Sequence, residues 1–172
     1  RGARGEQPGG GPPLPHIRGV DPSGSIAAVG AGVADRRIGD RVYVSLFVAT
    51  DDPAAKSLPG VSGARFLGVD IWGGYAQYVR VPAVNTIRIP TNLSFHQATV
   101  IGRRLATAVN QVEGVGRVKP DDWVLVMGAS GGLGSAAVQV AKWNGAHVIA
   151  AAGTDERVEA TPDPDARVQL RR

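Results

Sequence analysis

Four glycines within seven residues, in the segment "GASGGLG" from Gly128 to Gly134, are the part of this sequence best suited to binding a ligand. The preceding "WVLVM" is short and continuously apolar, which is typical of a parallel strand buried on both faces. The following "SAAVQVAKW" has the spacing of a helix, with Gly145 as its left-handed cap, and "HVIAAA" indicates a second buried strand. A glycine turn between a strand and a helix presents bare backbone N–H groups, which suits an anionic ligand.

This order of strand, glycine turn, helix and strand within about 30 residues predicts a dinucleotide-binding site. The pyrophosphate of a dinucleotide binds at the helix N-terminus, where the helix dipole favours negative charge. Side chains at Gly131, Gly132 and Gly134 would block its approach, and Gly134 also lets the helix pack closely on the strand. A tight turn without a ligand is the alternative interpretation, but it usually requires one or two glycines rather than four.

The residue at the end of the second strand indicates which dinucleotide is preferred. NAD sites usually carry an acidic residue there, which binds the ribose 2′-OH, but here the position is Ala152, followed by "GTDER". Thr154 and Arg157 offer a hydroxyl and a guanidinium to a 2′-phosphate, although two neighbouring acidic residues weaken this case. Arg157 as a solvated residue is the alternative. The sequence therefore predicts NADP in preference to NAD. The cofactor-binding residues expected from the two turns are Ala129, Ser130, Gly131, Gly132, Leu133, Gly134, Gly153, Thr154 and Arg157.

The first half of the chain has the pattern of short strands and turns. Residues 26–48 contain apolar runs closed by glycines, and Gly39 and Asp40 precede an alternating β-branched strand. "GGYAQYVRVPA" alternates with period two and predicts another strand, and "NTIRIP" predicts a short one that Pro90 ends. One face of the alternating segment carries Tyr75, Gln77, Val79 and Val81.

The periodicity becomes helical at "TNLSFHQATVIGRRLATAVNQV". Ser94 is a suitable N-cap, and Gln97 three residues later completes a capping box. Gly102 is expected to interrupt the helix. We therefore predict a domain boundary near Ser94, with a β-rich domain over 1–93 and an α/β domain over 94–172. Residues 1–13 are rich in Gly and Pro and are expected to be disordered.

Composition excludes several classes of protein. The net charge of +4 comes from scattered arginines, and aromatic residues are only 5%, so the clustered cations and stacking aromatics of a nucleic-acid surface are missing. No stretch approaches the roughly 20 apolar residues of a membrane span, and the first residues lack the apolar core of a signal peptide. The chain has no cysteine, which excludes disulfides and thiolate chemistry. A cytoplasmic location is compatible with these features.

The order of six segments resembles the medium-chain dehydrogenase/reductase superfamily: "LPHIRGVDPSGSIAAVGAGV", "IGDRVYV", "GGYAQYVRVPAVN", "IPTNLSFHQAT", "ATA" and "VKPDDWVLVMGASGGLGSAAVQVAK". "GASGGLG" is more similar to the quinone oxidoreductase branch than to the zinc alcohol dehydrogenases. The resemblance implies a GroES-like β-rich domain followed by a Rossmann domain, a doubly wound parallel α/β sheet, with the cofactor between them. It also implies hydride transfer between a nicotinamide and a quinone, activated alkene or carbonyl.

The resemblance implies that this chain binds no zinc. Zinc-dependent members carry Gly-His-Glu at the positions of Gly19–Asp21, so Val20 replaces the imidazole ligand. Their structural-zinc lobe contains four cysteines, whereas the matching stretch, about residues 46–63, contains none. His16 and His96 each lack a second ligand at metal spacing. A tetrahedral zinc site therefore cannot be assembled from these residues.

The resemblance assigns a role to only two residues outside the glycine turns. Thr107, in "ATA", is implied to lie beside the nicotinamide ring, with an ordinary helix residue as the alternative. Asp21 is the one candidate proton donor at a position that the family uses, and the alternative is a structural acceptor for the following turn. No catalytic acid or base is assigned, since zinc-free relatives take the proton from a tyrosine, the cofactor ribose or water.

The resemblance also predicts that the chain is truncated at both ends. Family members begin with strands ahead of the matched region, and a doubly wound domain needs about six parallel strands. Two are evident here, with "ARVQL" as a third, and "EATPDPDARVQLRR" replaces the expected second helix because its prolines forbid one. The elements with which full-length members form homo-oligomers are absent.

Three functions stay open at this point. The first is a zinc-free, NAD(P)H-dependent oxidoreductase that acts on a small molecule and has neither nucleic acid nor membrane as a partner. The second is a non-catalytic fragment of that fold. The third is a degenerate zinc-type alcohol dehydrogenase, which would need ligands that the sequence lacks.

Overall fold

The computed structural model describes residues 12, 14–49 and 64–170 of the chain. The predicted disorder of residues 1–13 and most of the cysteine-free stretch 46–63 lie outside the described residues. Close contacts divide the chain into two compact units, residues 1–99 and residues 100–172. This division falls inside a helix, and the boundary near Ser94 stays a prediction. Among the described residues, no helix is both long enough and apolar enough to cross a membrane.

The described residues of the first unit form two small antiparallel sheets. The first sheet has the order β1 (Ser23–Ser25), β2 (Arg41–Val44) and β5 (Thr86–Arg88), and β3 (Phe47–Ala49) pairs with β4 (Ala64–Phe66) in the second. The turn before β2 places Gly39 at a φ of +90°, a region that glycine enters without steric cost. A 3-10 turn, Ala83–Asn85, precedes β5. The core of this unit consists of Val44, Val48 and Leu67, with Ile71, Val79 and Val81 packed against it.

The strand predicted from the alternation in "GGYAQYVRVPA" is wrong: the structure assigns no strand between β4 and β5. Tyr75 and Tyr78, predicted to lie on opposite faces, are 84% and 76% exposed. Both edges of β2 are already occupied by β1 and β5, so this sheet offers no central position to another strand. Of the face predicted to carry Tyr75, Gln77, Val79 and Val81, only Val79 and Val81 pack against the core.

The predicted capping box is confirmed at the start of α1 (Phe95–Val109). The Ser94 backbone N–H donates to Gln97 Oε1 at 2.9 Å, and the Gln97 N–H donates to Ser94 Oγ at 3.2 Å. The expected interruption at Gly102 is wrong, because α1 runs through it without a break. A π-helical turn, Asn110–Val115, continues the helix. Burial of Ala108 and Val112 stabilises this helix by more than one glycine costs it.

The second unit is built on a parallel sheet in the order β6 (Trp123–Met127), β7 (His147–Ala152) and β8 (Ala166–Gln169). The predicted pairing of the first two strands and the third strand in "ARVQL" are thus confirmed. Helix α2 (Gly132–Trp143) connects β6 to β7, and Gly145 has the predicted left-handed conformation at φ +80°. The core lies between this helix and the sheet, where Val138, Val140 and Val148 are almost completely buried.

A short helix, α3 (Asp155–Glu159), ends at the first residue of "EATPDPDARVQLRR", and no helix follows it among the described residues of that segment, as its prolines predicted. It ends before Pro162, so the prolines limit its length and do not prevent its first turn. Val158 is buried, which anchors this single turn against the sheet.

Candidate functional site

The candidate site lies at the carboxyl edge of the parallel sheet in the second unit. Met127 and Ala151 are paired in register, so the segments that leave β6 and β7 emerge side by side. The Ala129 N–H donates to the Ala151 carbonyl at 3.0 Å and extends the pairing into the glycine turn. This edge is where open α/β sheets bind their ligands.

The glycine turn is held by its own backbone. Gly128 has a φ of +65°, and the Gly131 N–H donates to the Gly128 carbonyl at 2.9 Å. Gly131 is the N-cap of α2, and no side chain caps this helix. Because the first N–H groups of an α-helix lack partners within the helix, those at the start of α2 are available to an anionic ligand.

The glycines of the turn have different roles. A Cβ on Gly134 would collide with the Gly128 carbonyl and lie 2.8 Å from the Ala129 Cα, so the close packing of helix on strand requires glycine there. A Cβ on Gly132 would meet only the Arg104 side chain, at 3.6 Å or more. The positive φ of the turn belongs to Gly128 and not to Gly132. Gly132 therefore keeps space open, whereas Gly134 permits the fold.

The other residues predicted at this turn divide between surface and core. Ser130, Gly131 and Gly132 are exposed and accessible to a ligand. Ala129 is fully buried, and Leu133 packs against the hydrophobic core. Ala129 can therefore present only backbone atoms to a ligand at this turn, whereas the partly buried Leu133 also lines the adjacent cavity.

The second turn begins where β7 ends at Ala152, as the sequence predicted. Gly153 is exposed, with open space in the direction of a Cβ. Thr154 caps α3, since its Oγ1 accepts a hydrogen bond from the Arg157 N–H at 3.4 Å. The Arg157 side chain is exposed, and its guanidinium makes no hydrogen bond or ion pair with the residues that the structure describes. The Thr154 hydroxyl thus has a structural role that the sequence did not reveal.

A cavity of about 640 Å³ opens beside the glycine turn, along β6 and toward α1 and the π-helical turn. Most of its lining is apolar or glycine, including Val112, Val118 and Val124. Gln111 is its polar neutral side chain, and Arg104 is the one charged side chain among the described residues that line it. The space beside the turn therefore combines an apolar wall with a single cation.

The two residues implied by family resemblance both make internal hydrogen bonds. Asp21, in the first unit, accepts a hydrogen bond from the Tyr43 hydroxyl at 3.1 Å. Thr107, in the second unit, is exposed, and its hydroxyl donates to the Arg103 carbonyl at 2.9 Å, one helical turn earlier. These contacts are those of structural residues, and the roles of Asp21 and Thr107 in catalysis stay predictions.

No metal site is evident in the part of the chain that the structure describes, because no three His, Asp or Glu side chains are grouped as ligands there. Val20 is half-buried and offers no donor atom. The zinc-free character of the protein is tested by neither observation and stays a prediction.

Sequence reasoning missed two residues of this site. Gly128 was recognised only as part of the glycine run, although its positive φ sets the direction of the turn. Arg104 was seen as one of several scattered arginines, and no local pattern signals that it lies beside Gly132, on a different element. Only the fold brings Arg104 and Gly132 together.

Comparisons with known proteins agree with this architecture. Residues 3–91 match the family model of the alcohol dehydrogenase GroES-like domain. The chain is 36% identical to an alcohol dehydrogenase of Geobacillus stearothermophilus, over 86% of the chain and 44% of that protein. It is 34% identical to a quinone oxidoreductase of Pongo abelii, over 84% of the chain and 37% of that protein.

A solved NAD-dependent alcohol dehydrogenase has a similar fold, with a TM-score of 0.82 and 35% identity over 91% of this chain and 47% of the other. The chain therefore spans less than half the length of the relatives that it matches. The predicted fold class is confirmed: a GroES-like β-rich unit precedes an incomplete Rossmann sheet. The glycine turn at the edge of this sheet, together with the family match of the first unit, shows that the chain belongs to the alcohol dehydrogenase GroES-like family of the medium-chain dehydrogenase/reductase superfamily.

Proposed function

We propose that this chain carries the pyrophosphate-binding part of a zinc-free, NAD(P)H-dependent oxidoreductase. The observation that carries the proposal is the uncapped N-terminus of α2 at the carboxyl edge of β6 and β7. Its N–H groups are accessible because Gly131 and Gly132 have no side chains, and a Cβ on Gly132 would meet nothing nearer than the Arg104 side chain at 3.6 Å. The relatives named above, an alcohol dehydrogenase and a quinone oxidoreductase, support the reaction class.

A bound nicotinamide would supply the hydride, and a quinone, activated alkene or carbonyl would accept it. The chain's own contribution is to hold the dinucleotide: the backbone N–H groups of Gly132 and its neighbours would neutralise the pyrophosphate, and the apolar wall of the cavity would exclude water. A small-molecule substrate, a cytoplasmic location and homo-oligomers of a longer protein are parts of the same proposal.

We propose that NADPH is preferred over NADH. Ala152 offers no carboxylate to a ribose 2′-OH, whereas the exposed Arg157 guanidinium is available to a 2′-phosphate. The solved alcohol dehydrogenase with a similar fold is NAD-dependent, but this cofactor preference is a property of that protein. The preference in this chain therefore depends on Arg157 and is open to direct measurement.

A non-catalytic role is the second candidate. It is favoured by the internal hydrogen bonds of Asp21 and Thr107, which leave no described residue with an evident catalytic task. Such a protein would bind the dinucleotide without transferring hydride.

One experiment separates these candidates. Binding is measured by titrating the chain with NADPH or NADH and recording the shift in its thermal unfolding temperature. Turnover is measured as the consumption of NADPH in the presence of a quinone. The oxidoreductase proposal predicts both binding and turnover. Binding without turnover would favour the non-catalytic role, and absence of binding would overturn both.

A further inference from the structure

Arg104 lies beside the glycine turn although it belongs to a different element. Its Nε, Cζ and Cδ atoms are 3.6, 3.7 and 3.8 Å from the position that a Cβ on Gly132 would occupy. Helix α1 is fixed in this place because Ala108 is fully buried and Leu105 packs against the same core. The guanidinium is thus held over the side of the turn that Gly132 leaves open.

The hydrogen-bonding capacity of Arg104 is unused within the described residues, where it makes no hydrogen bond or ion pair. Other arginines of the chain have defined partners: Arg36 binds Thr86, and Arg41 binds the carbonyl oxygens of Pro90 and Leu93. A guanidinium carries five N–H donors, and no acceptor among the described residues uses those of Arg104. A structural role like that of Arg36 or Arg41 therefore does not explain this residue.

The charged groups of the adjacent cavity favour an anion. Arg104 is the one charged side chain of the adjacent cavity, as far as the described residues show, and no carboxylate lines it. The N-terminus of α2 adds its partial positive charge on the same side. A guanidinium beside a helix N-terminus suits a phosphate group, because its planar fork donates two parallel hydrogen bonds to phosphate oxygens.

We propose that Arg104 is a further binding residue of the dinucleotide site, contacting the pyrophosphate beside the helix N–H groups at Gly132. This inference rests on the proposed function, since it requires a dinucleotide at the glycine turn. The pyrophosphate is common to NADPH and NADH, so Arg104 strengthens the binding of both to the same degree. In this respect it differs from Arg157, which we assign to the 2′-phosphate alone.

The test measures the dissociation constants of NADPH and NADH for the unmodified chain and three variants. Arg104→Ala is expected to weaken the binding of both cofactors by a similar factor, roughly tenfold to hundredfold. Arg104→Lys keeps the positive charge but not the planar fork of the guanidinium. Its dissociation constants should lie between those of the unmodified chain and those of Arg104→Ala. Its salt dependence should stay close to that of the unmodified chain, whereas that of Arg104→Ala should be weaker.

Lys119→Ala is the matched control, because it removes one exposed positive charge from the same unit. Lys119 precedes the amino end of β6, whereas the glycine turn follows the carboxyl end of this strand. Its loss should leave both dissociation constants nearly unchanged. Arg104 and Lys119 are exposed, so each variant should unfold at the temperature of the unmodified chain. If Arg104→Ala unfolds at a lower temperature, Arg104→Gln takes its place.

Each outcome distinguishes this inference from the proposed function. Equal binding by Arg104→Ala and the unmodified chain would overturn the role of Arg104 and leave the glycine turn as the site. Weakening of NADPH alone would also overturn it, because it would place Arg104 at the 2′-phosphate. Failure of the unmodified chain to bind either cofactor would overturn the proposed function, and this inference with it.

Discussion

The Cα of Gly134 lies so close to the carbonyl oxygen of Gly128 that no side chain fits between them. The contact joins the first turn of α2 to the residue that follows β6, so it fixes the helix against the strand at the point where the ligand is expected. Both partners are backbone atoms, which cannot rotate away as a side chain can. The fold therefore depends on the absence of a methyl group at one position.

We expect Gly134→Ala to destabilise the second unit by about 1–3 kcal/mol, because the added Cβ forces the helix away from the strand. Chemical denaturation monitored by circular dichroism measures this loss. Gly132→Ala is the matched control in the same helical turn, since its Cβ would make only ordinary contact with Arg104. Equal stability of the two variants would contradict the assigned roles of these glycines.

Gly132→Val should abolish dinucleotide binding while the fold is retained. The valine methyl groups would occupy the space that phosphate oxygens need, and Gly132 has no positive φ that a side chain would strain. Isothermal titration with NADPH measures the effect, and the unfolding temperature confirms the fold. Gly32→Val, at another glycine with open space around it, should bind like the unmodified chain. Unchanged affinity of Gly132→Val would remove the pyrophosphate from this turn.

Arg157→Ala should weaken NADPH binding and leave NADH binding nearly unchanged, because only NADPH carries a 2′-phosphate. Loss of one charge-assisted hydrogen bond corresponds to about 1.5–3 kcal/mol, or roughly one to two decades in affinity. The ratio of the two dissociation constants is the quantity to measure. If both cofactors weaken equally, Arg157 supports α3 rather than the phosphate.

Asp165 should make stability depend on pH in the acid range. Its carboxylate accepts hydrogen bonds from Lys142 Nζ at 2.8 and 3.0 Å and from the Val148 N–H at 2.6 Å, and these lower the pKa of Asp165. Because the pKa is lower in the folded state, the stabilisation is complete above the unfolded value, about 3.9, and is lost as pH falls through the folded value. His147 Nδ1, at 4.0 Å, adds to this effect when it is protonated.

Asp165→Asn is the corresponding test. The difference in unfolding free energy between the unmodified chain and this variant should be constant near neutral pH and should shrink below about pH 3.9. Urea denaturation at a series of pH values measures it. A difference that grows as the pH falls would mean that the carboxylate does not stabilise the folded state.

Elemental analysis after dialysis should find no stoichiometric zinc. Val20 stands where zinc-dependent relatives carry the histidine ligand, and the chain has no cysteine. One zinc per chain, resistant to dialysis, would favour the zinc-type alternative and exclude the zinc-free proposal.

Local patterns predicted the parts of the fold that are determined locally. The capping box of Ser94 and Gln97, the parallel pairing of β6 with β7 and the left-handed Gly145 all follow from short sequence signals. The continuity of α1 through Gly102 was not predictable in this way, because packing of Leu105 and Ala108 against a distant strand outweighs the low helix propensity of one glycine.

Contacts between distant residues account for what the sequence could not reveal about the site. The glycine turn was recognisable because its residues are consecutive, but Arg104 reaches Gly132 from another helix. The cap formed by Thr154 was missed because a threonine after a strand suits either a ligand or a helix N-terminus. When a side chain suits two different roles, as Thr154 does, only the geometry of the structure shows which role it has.

The backbone bonds from Gly131 to Gly128 and from Ala129 to Ala151 hold the glycine turn in shape whether or not a ligand is present. A dinucleotide that binds at this turn would meet N–H groups that are already oriented, so the turn itself need not rearrange. Its association should then be governed by diffusion and electrostatic attraction, with little dependence on temperature beyond that of the solvent viscosity. Variants of the exposed residues around the turn should accordingly differ mainly in how long the ligand stays bound.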